Sequence, residues 1–226
     1  MSRRIDQLYK IFQAIPYTDP KNSETRMDRS DNPVEFFLSQ PIIDKPGTKF
    51  NYSGGCTQAL AAVVEKATAM PIDRFAAKNL FDPLGINNFF WVKRRDGIPI
   101  TASGLRLRPR DFIKFGVMYL NEGKWNNKQV ISKQSIDQIV QKHFPILFET
   151  PQVKVGYGYQ IWLRTNTTAN GPLSLVQANG NGGQVIFIDK KENMVVVVTA
   201  GNYNDWGLRK TSQHIYMDFI YPAIIK

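Results

Sequence analysis

The 226-residue sequence predicts an α+β fold, with a mostly helical part over residues 1–155 and an antiparallel sheet with a closing helix over residues 156–226. Apolar residues recur at helical spacing in the first part, whereas strand-like runs separated by polar turns fill the second. Helices followed by strands favour this class over a doubly wound parallel sheet, in which strands and helices alternate. Hydrophobic residues make up 42% of the chain, enough to bury a core of normal size. We therefore expect a single domain.

The helical part is predicted from the spacing of its apolar residues and from its start and stop signals. Leu60, Val63 and Val64 fall on one face of a helix. Pro109 is a favourable first helical residue, and Gly123 is a favourable stop. The predicted helices cover, in order, residues 34–39, 57–69, 72–80, 109–120 and a segment that follows an N-cap at Ser132.

The sheet is predicted from runs of β-branched and aromatic residues that are bounded by turn residues. Polar residues 189–193 separate the last two runs and predict a hairpin loop. Ile215 and Phe219 share one face of a predicted closing helix over residues 208–221. The predicted strands cover residues 157–163, 173–177, 184–189 and 194–200, and a short extended segment covers residues 49–52.

The charge and the cysteine content argue against several classes of protein. The formal net charge is +10, but the basic residues do not form one long run, so no nucleic-acid partner is expected. Cys56 is the only cysteine, which rules out an intramolecular disulfide. With two histidines, His143 and His214, the chain has too few ligands for a zinc site made of cysteine and histidine alone. We expect no metal.

Membrane insertion and secretion are not expected either. No apolar run approaches the roughly 18 residues of a membrane-spanning helix. Polar residues interrupt the segment from Ile5 to Ile15, which therefore lacks the apolar core of a signal peptide. If Met1 is the true start, the expected location is the cytoplasm.

Two hypotheses for acyl-transfer chemistry overlap in the segment from Asn51 to Gly55. The first treats it as a Gly-x-Ser-x-Gly nucleophile elbow, which it misses only at its first position. Ser53 would then be the nucleophile of an esterase, with Asp189 and His214 as orienting group and base. The surrounding sequence lacks the repeated strand–helix units that normally hold such an elbow. Ser53 is also compatible with a simple tight turn.

The second hypothesis rests on five motifs that follow one another in a family order. They are Phe50–Leu60 after Pro46-Gly47-Thr48, Leu80–Ile86, Ser103–Gly116, Tyr157–Trp162 and Gly180–Gln184. Together they resemble the β-lactamase and penicillin-binding-protein superfamily of serine hydrolases. The resemblance is greatest to its class C-like branch of esterases and 6-aminohexanoate-dimer hydrolases. It implies a β-lactamase-like fold, in which a helical region accompanies an antiparallel sheet and a C-terminal helix.

The resemblance implies that a small ester, amide or β-lactam transfers its acyl group to a serine and is then hydrolysed, without a cofactor or metal. The serine of a Ser-x-x-Lys motif is the nucleophile, and the lysine one helical turn away accepts its proton. Tyr52 would shuttle a proton to the leaving group. The family's third motif falls on Ala178, Asn179 and Gly180, where Gly180 would let the substrate approach the strand closely. The backbone N–H of Asn181 would be one oxyanion donor.

The sequence departs from the family pattern in three ways. Gly54 replaces the asparagine of Tyr-x-Asn, and Ala178 replaces the lysine or histidine of the third motif, which weakens the case for β-lactam substrates. No serine is followed three residues later by lysine, so Ser-x-x-Lys is absent. We therefore expect an N-terminally incomplete domain that is inactive alone, poorly stable and inclined to self-associate through exposed apolar surface. The alternative is a non-catalytic binding or scaffold protein that reuses the fold.

Overall fold

The computed structural model describes residues 17–141 and 143–225. The segment from Ile5 to Ile15 lies outside these residues. Two compact units divide the chain, and they comprise residues 1–107 and residues 108–226. Both helices and antiparallel strands are present, which confirms the predicted α+β class.

The first unit is mainly helical in its described residues. Asn22 and Asn32 are the N-caps of its first two helices, and their side chains accept hydrogen bonds from the first turn, from two backbone N–H groups at Asn22 and from one at Asn32. Residues 49–52, predicted to be extended, form no strand. The elements are α1 (Ser23–Arg29), α2 (Pro33–Leu38), α3 (Gly54–Thr68), α4 (Ile72–Ala76) with a π-helical continuation (Ala77–Phe81), and the antiparallel strands β1 (Phe89–Trp91) and β2 (Leu105–Leu107).

The packing of α2 against α3 fixes the start of α3 in the first unit. A Cβ atom on Gly55 would lie 2.2 Å from Cδ2 of Phe37, so the helix backbone touches the Phe37 ring directly. Farther along, Phe81 is buried and its ring lies 4.6 Å from that of Phe89, centroid to centroid. The α3 N-terminus, where the first half of the predicted site lies, is therefore held by close packing.

The second unit is a six-stranded antiparallel sheet with helices. Its strands follow the order β10-β9-β8-β7-β6-β5, and β10 pairs only with β9 in the described part of the chain. The elements are α5 (Pro109–Leu120), β3 (Lys124–Trp125), β4 (Lys128–Gln129), α6 (Lys133–Ile139), β5 (Phe144–Glu149), β6 (Val153–Tyr157), β7 (Trp162–Thr168), β8 (Gly171–Asn179), β9 (Val185–Asp189), β10 (Met194–Val198), α7 (Trp206–Arg209), α8 (Thr211–His214), a π-helix (Ile215–Ile220) and α9 (Tyr221–Ile224).

Each face of this sheet packs against a different group of helices. On one face Ile186 and Ile188 join Tyr119 and Ile136, which come from α5 and α6. On the other face Leu173, Leu175, Val185 and Phe187 pack against Tyr216 and Tyr221 of the C-terminal helices. Alternating side chains of β9 thus supply two cores, as expected for a strand that is buried on both faces.

The predicted strand over residues 157–163 is wrong. β6 ends at Tyr157 and β7 begins at Trp162, with a tight turn between them. The N–H of Gly158 donates to the carbonyl oxygen of Ile161 (2.9 Å), and Gln160 has a φ of +59°. Aromatic residues lie on both sides of this turn, so the sequence of the two strand ends has the composition of one continuous strand.

The sheet also begins earlier than residue 156. β5 starts at Phe144, and the last helix before the sheet ends at Ile139. Pro145 argues against a strand by sequence alone, but proline is tolerated on edge strands, and β5 is one. The closing helix extends over residues 206–224 in four pieces instead of running unbroken over residues 208–221.

No helix in the described ranges is both long enough and apolar enough to cross a membrane.

Candidate active site

Tyr52, the predicted proton shuttle, lies in the first unit immediately before α3. Its exposed fraction is 37%, so the phenol ring is accessible to a ligand. Ser53 is the N-cap of α3 with extended backbone angles (φ −145°, ψ 122°), and its side chain makes no capping hydrogen bond. Tyr52 is therefore positioned close to the positive end of a 15-residue helix.

Glu24 occupies the space beside Gly54, where the family pattern has an asparagine. The Glu24 carboxylate accepts a hydrogen bond from the backbone N–H of Gly54. A Cβ atom at residue 54 would lie 2.6 Å from Oε1 of Glu24 and 3.0 Å from Cβ of Ala102. A side chain at this position would have to displace the carboxylate. The missing side chain of Gly54 therefore leaves the space that the Glu24 carboxylate occupies.

Burial gives this carboxylate unusual electrostatics. Withdrawal from water raises the pKa of Glu24, and the negative charge of Asp28 raises it further. Hydrogen bonds from the Gly54 backbone and the Tyr17 side chain act in the opposite direction and are outweighed. A partly buried carboxyl with a raised pKa next to a predicted catalytic residue is a functional candidate. Sequence reasoning missed Glu24 because no local pattern links it to a residue thirty positions away.

The second half of the predicted site lies at the end of the β8–β9 hairpin, in the second unit. Ala178 pairs with Ile186 and Asn179 pairs with Val185, so both belong to β8. Gly180 and Asn181 follow in the turn. The N–H of Gly180 donates to the carbonyl oxygen of Gln184 (2.7 Å), which closes the turn.

Gly180 was predicted to lie on the strand, and the structure corrects this by placing it just after β8. A Cβ atom there would lie 2.5 Å from Oε1 of Gln184. The Gln184 side chain also accepts from the N–H of Gly182 (2.9 Å) and donates to the carbonyl oxygen of Ala200 (2.6 Å). A larger residue at position 180 would have to shift the Gln184 side chain and its hydrogen bonds.

The tip of this hairpin presents several unused polar groups. Among the described residues, the backbone N–H of Asn181 has no hydrogen-bond partner. The buried side-chain oxygens of Asn179 and Asn181 also have none, although the Asn181 amide nitrogen donates to Oδ1 of Asn204 (3.0 Å). These unpaired atoms are exceptions within the described ranges, since buried polar atoms are normally paired.

The elbow hypothesis for Ser53 lacks its supporting geometry. A nucleophile elbow is a sharp, strained turn, whereas Ser53 has ordinary extended angles. Asp189 is fully buried and accepts from Tyr216 Oη (3.0 Å) and from the N–H of Glu192 (3.1 Å). The exposed His214 has Asp218 as its acidic neighbour (3.8 Å). Asp189 therefore does not orient His214.

Across the described part of the chain, no group of three or more histidine, cysteine, aspartate or glutamate side chains could hold a metal ion.

Comparison with known proteins decides the family. The family model for beta-lactamase matches residues 13–214. The chain belongs to the beta-lactamase family. Lovastatin esterase from Penicillium rubens is 34% identical to this beta-lactamase-family chain over 79% of the chain and 55% of its own length.

Solved structures show the same fold. A protein from Bacillus anthracis assigned as a 6-aminohexanoate-dimer hydrolase matches all of this chain and 56% of its own, with a TM-score of 0.69 and 22% identity. A variant of simvastatin synthase from Aspergillus terreus matches 83% of the chain and 58% of its own, with a TM-score of 0.64 and 14% identity. These matches confirm the β-lactamase-like fold. The chain spans just over half the length of these relatives.

Proposed function

We propose that Tyr52 has the character of a proton shuttle and that the backbone N–H of Asn181 has that of an oxyanion donor for serine-hydrolase chemistry on small esters or amides, and that the 226-residue chain does not turn over substrate alone. The observation that carries the proposal is the hairpin tip, where the backbone N–H of Asn181 has no partner among the described residues and lies between Gly180 and Gly182. The absence of Ser-x-x-Lys accounts for the expected inactivity.

The hairpin tip suits the stabilisation of a tetrahedral oxyanion. A backbone N–H held in a closed turn is a preorganised donor, and such donors act on the charge that develops in the transition state. The side-chain oxygens of Asn179 and Asn181 could accept hydrogen bonds from an amide N–H of a substrate. Ser212 Oγ donates to the carbonyl oxygen of Gly183 (2.5 Å), which ties the turn to the C-terminal helices and restrains it.

Tyr52 suits the role of a proton shuttle. It precedes the N-cap of α3, and the positive end of the helix dipole favours the negative charge that a phenol develops on releasing its proton. The residue is partly exposed, which lets a leaving group approach its ring.

Esters are the favoured substrates within this proposal. Gly54 removes an amide that the family pattern provides near the reacting group, and Glu24 fills the adjoining space. The related lovastatin esterase, by its name, cleaves an ester.

The first experiment tests inactivity. The chain is incubated with a fluorescent fluorophosphonate and with a fluorescent penicillin, and hydrolysis of p-nitrophenyl butyrate is followed. We expect no label above a heat-denatured control and no rate above buffer. Label mapped by peptide mass spectrometry to a serine of this chain would contradict the proposal, and loss of that label in Ser53→Ala would establish the elbow mechanism instead.

The second experiment tests whether Tyr52 contributes to ester hydrolysis when a Ser-x-x-Lys segment is supplied. A Ser-x-x-Lys segment from a family member is fused ahead of residue 17, and ester hydrolysis is measured for a fusion that melts cooperatively. We expect activity that Tyr52→Phe lowers by about 10²–10⁴-fold, the usual contribution of a positioned acid–base group. The exposed Tyr159→Phe is the matched control. A folded, inactive fusion would favour the scaffold alternative.

A further inference from the structure

A cavity of about 230 Å³ lies wholly within the first unit and is partly open to solvent. Its walls come from α2, α3, the first residue of α4 and the segment between β1 and β2. An engineered apolar cavity of roughly 150 Å³ is enough to hold one benzene molecule in another protein. This cavity can therefore hold a small organic ligand. Tyr52 is not among the residues that line it.

Gln58 of α3 brings an unused donor to this cavity. The residue lines the wall and is 5% exposed. Its Oε1 accepts from the backbone N–H (3.2 Å) and from Oγ1 (2.9 Å) of Thr101. Because a backbone N–H can only donate, this contact fixes which atom of the Gln58 amide is the oxygen. Nε2 then has no hydrogen-bond partner among the described residues. Buried amide nitrogens are normally paired, so an acceptor on a ligand would complete this one.

Glu65 lies two helical turns beyond Gln58 on the same face of α3, about 10.5 Å along the helix axis. Its Oε1 accepts from the backbone N–H of Ile72 (2.8 Å), which holds the carboxylate at the cavity wall. Its Oε2 has no partner in the described ranges. Ala61 and Ala62 line the wall as well. A free donor and a free acceptor therefore flank a short apolar stretch of α3.

The charged groups around the cavity favour a cationic ligand. Asp31 and Asp96 line it together with Glu65, and Arg94 is the one cation among the described lining residues. The Arg94 side chain is 10% exposed, and its Nη2 lies 2.7 Å from Oδ2 of Asp96. The same nitrogen donates to the backbone carbonyl oxygen of Asp31 (2.5 Å). Since this guanidinium is already paired, the three carboxylates set the sign of the local field, which attracts positive charge.

We propose that this cavity binds a small primary amine that carries an oxygen acceptor at the far end of a short apolar chain. The ammonium group, which has three donors and no acceptor, donates to Oε2 of Glu65. The oxygen accepts from Nε2 of Gln58, and the methylene groups contact Ala61 and Ala62. The site goes beyond the proposed hydrolase function and does not depend on Tyr52 or Asn181.

The test is saturation-transfer NMR on the full chain at neutral pH and constant ionic strength, with 5-amino-1-pentanol as the probe. Three matched compounds separate the contributions to binding. The first, n-pentylamine, lacks the oxygen, whereas 1-pentanol lacks the charge and pentanoate reverses it.

Three variants separate the two ends of the cavity. Glu65→Gln keeps an acceptor oxygen for the N–H of Ile72 and removes the negative charge, and Gln58→Met removes the amide donor. Asp82→Asn is the control, since Asp82 is an exposed carboxyl of the same unit that does not line the cavity. Far-UV circular dichroism checks that each variant keeps the helix content of the wild type.

We expect 5-amino-1-pentanol to bind with a dissociation constant of about 1 mM. The amine without the oxygen should bind about 3- to 10-fold more weakly, as expected for the loss of one hydrogen bond. Glu65→Gln should weaken the binding of both amines by about tenfold or more, whereas Asp82→Asn should leave it unchanged. In Gln58→Met the two amines should bind equally, because the partner of the hydroxyl is gone.

The proposal is overturned if the folded wild-type chain does not bind 5-amino-1-pentanol, or if 1-pentanol or pentanoate binds as tightly. Unchanged affinity in Glu65→Gln would mean that the ammonium group binds elsewhere. A preference for the amino alcohol that persists in Gln58→Met would exclude Gln58 as the partner of its oxygen.

Discussion

Glu24 Oε1 lies 2.6 Å from the point that a Cβ atom at Gly54 would occupy, and the Glu24 carboxylate accepts the Gly54 backbone N–H. The contact joins α1 to the first residue of α3, directly after Tyr52 and Ser53. A change at either partner should therefore affect both stability and the geometry around Tyr52.

Gly54→Ala is expected to lower the free energy of unfolding by about 1–3 kcal/mol, because the new methyl group overlaps the Glu24 carboxylate. The measurement is urea unfolding, with Gly201→Ala as the control, since a Cβ there meets no atom within 4 Å. In a double-mutant cycle, Glu24→Ala should reduce the cost of Gly54→Ala. Strict additivity of the two changes would show that the contact is not energetically coupled.

The stability contribution of Glu24 is expected to fall as pH rises. Because burial raises its pKa in the folded state, the folded chain binds more protons than the unfolded chain above the ordinary value of 4.5. The free energy of unfolding then decreases with increasing pH through this window. Glu24→Gln keeps an acceptor oxygen for Gly54 and removes the titration.

The pH effect is measured by urea unfolding between about pH 4.5 and 7. The decline should be shallower in Glu24→Gln than in the wild type, although the pKa of Asp28 is also raised by burial and will leave some slope. Glu35→Gln, which changes an exposed carboxyl, serves as the control. Identical slopes in wild type and Glu24→Gln would contradict the assignment.

Tyr216→Phe is expected to destabilise the second unit. Both Tyr216 and Asp189 are fully buried, and the phenol hydroxyl donates to Oδ2 of Asp189 at 3.0 Å. Removing the hydroxyl leaves a buried carboxylate oxygen unsatisfied, which costs about 1–3 kcal/mol. The exposed Tyr159→Phe should change the unfolding free energy little. Equal effects of the two substitutions would argue against the buried hydrogen bond.

Gly116→Ala is expected to cost about 1–3 kcal/mol through overpacking. A Cβ atom on Gly116 of α5 would lie 2.5 Å from Cγ1 of Val195 and 2.8 Å from Cγ2 of Ile186. Ile186 of β9 is buried, and Val195 of the edge strand β10 packs against the same core, so α5 has little room to accept a methyl group. Thermal unfolding beside Gly201→Ala measures the effect, and an unchanged Tm would mean that α5 can shift away from the sheet.

Start, cap and turn residues predicted several boundaries of helices and strands. The start of α5 at Pro109, the N-cap at Ser132 and the hairpin loop at 189–193 all depend on local chemistry, and the structure confirms them. The order of five short motifs identified the family from the sequence alone, because each motif is a run of adjacent residues. Local patterns could not reveal β5, whose proline is tolerated only because the strand lies at an edge.

By itself, the sequence determined the α+β class, the family and the absence of Ser-x-x-Lys, and it predicted Tyr52 as the proton shuttle. These are properties of residue type and order along the chain. The tertiary structure decided that Glu24 fills the space beside Gly54, that Gly180 belongs to a turn packed against Gln184, and that Gln58 and Arg94 line one cavity. Such relationships join residues that are distant in sequence or depend on burial, and burial exists only once the chain has folded.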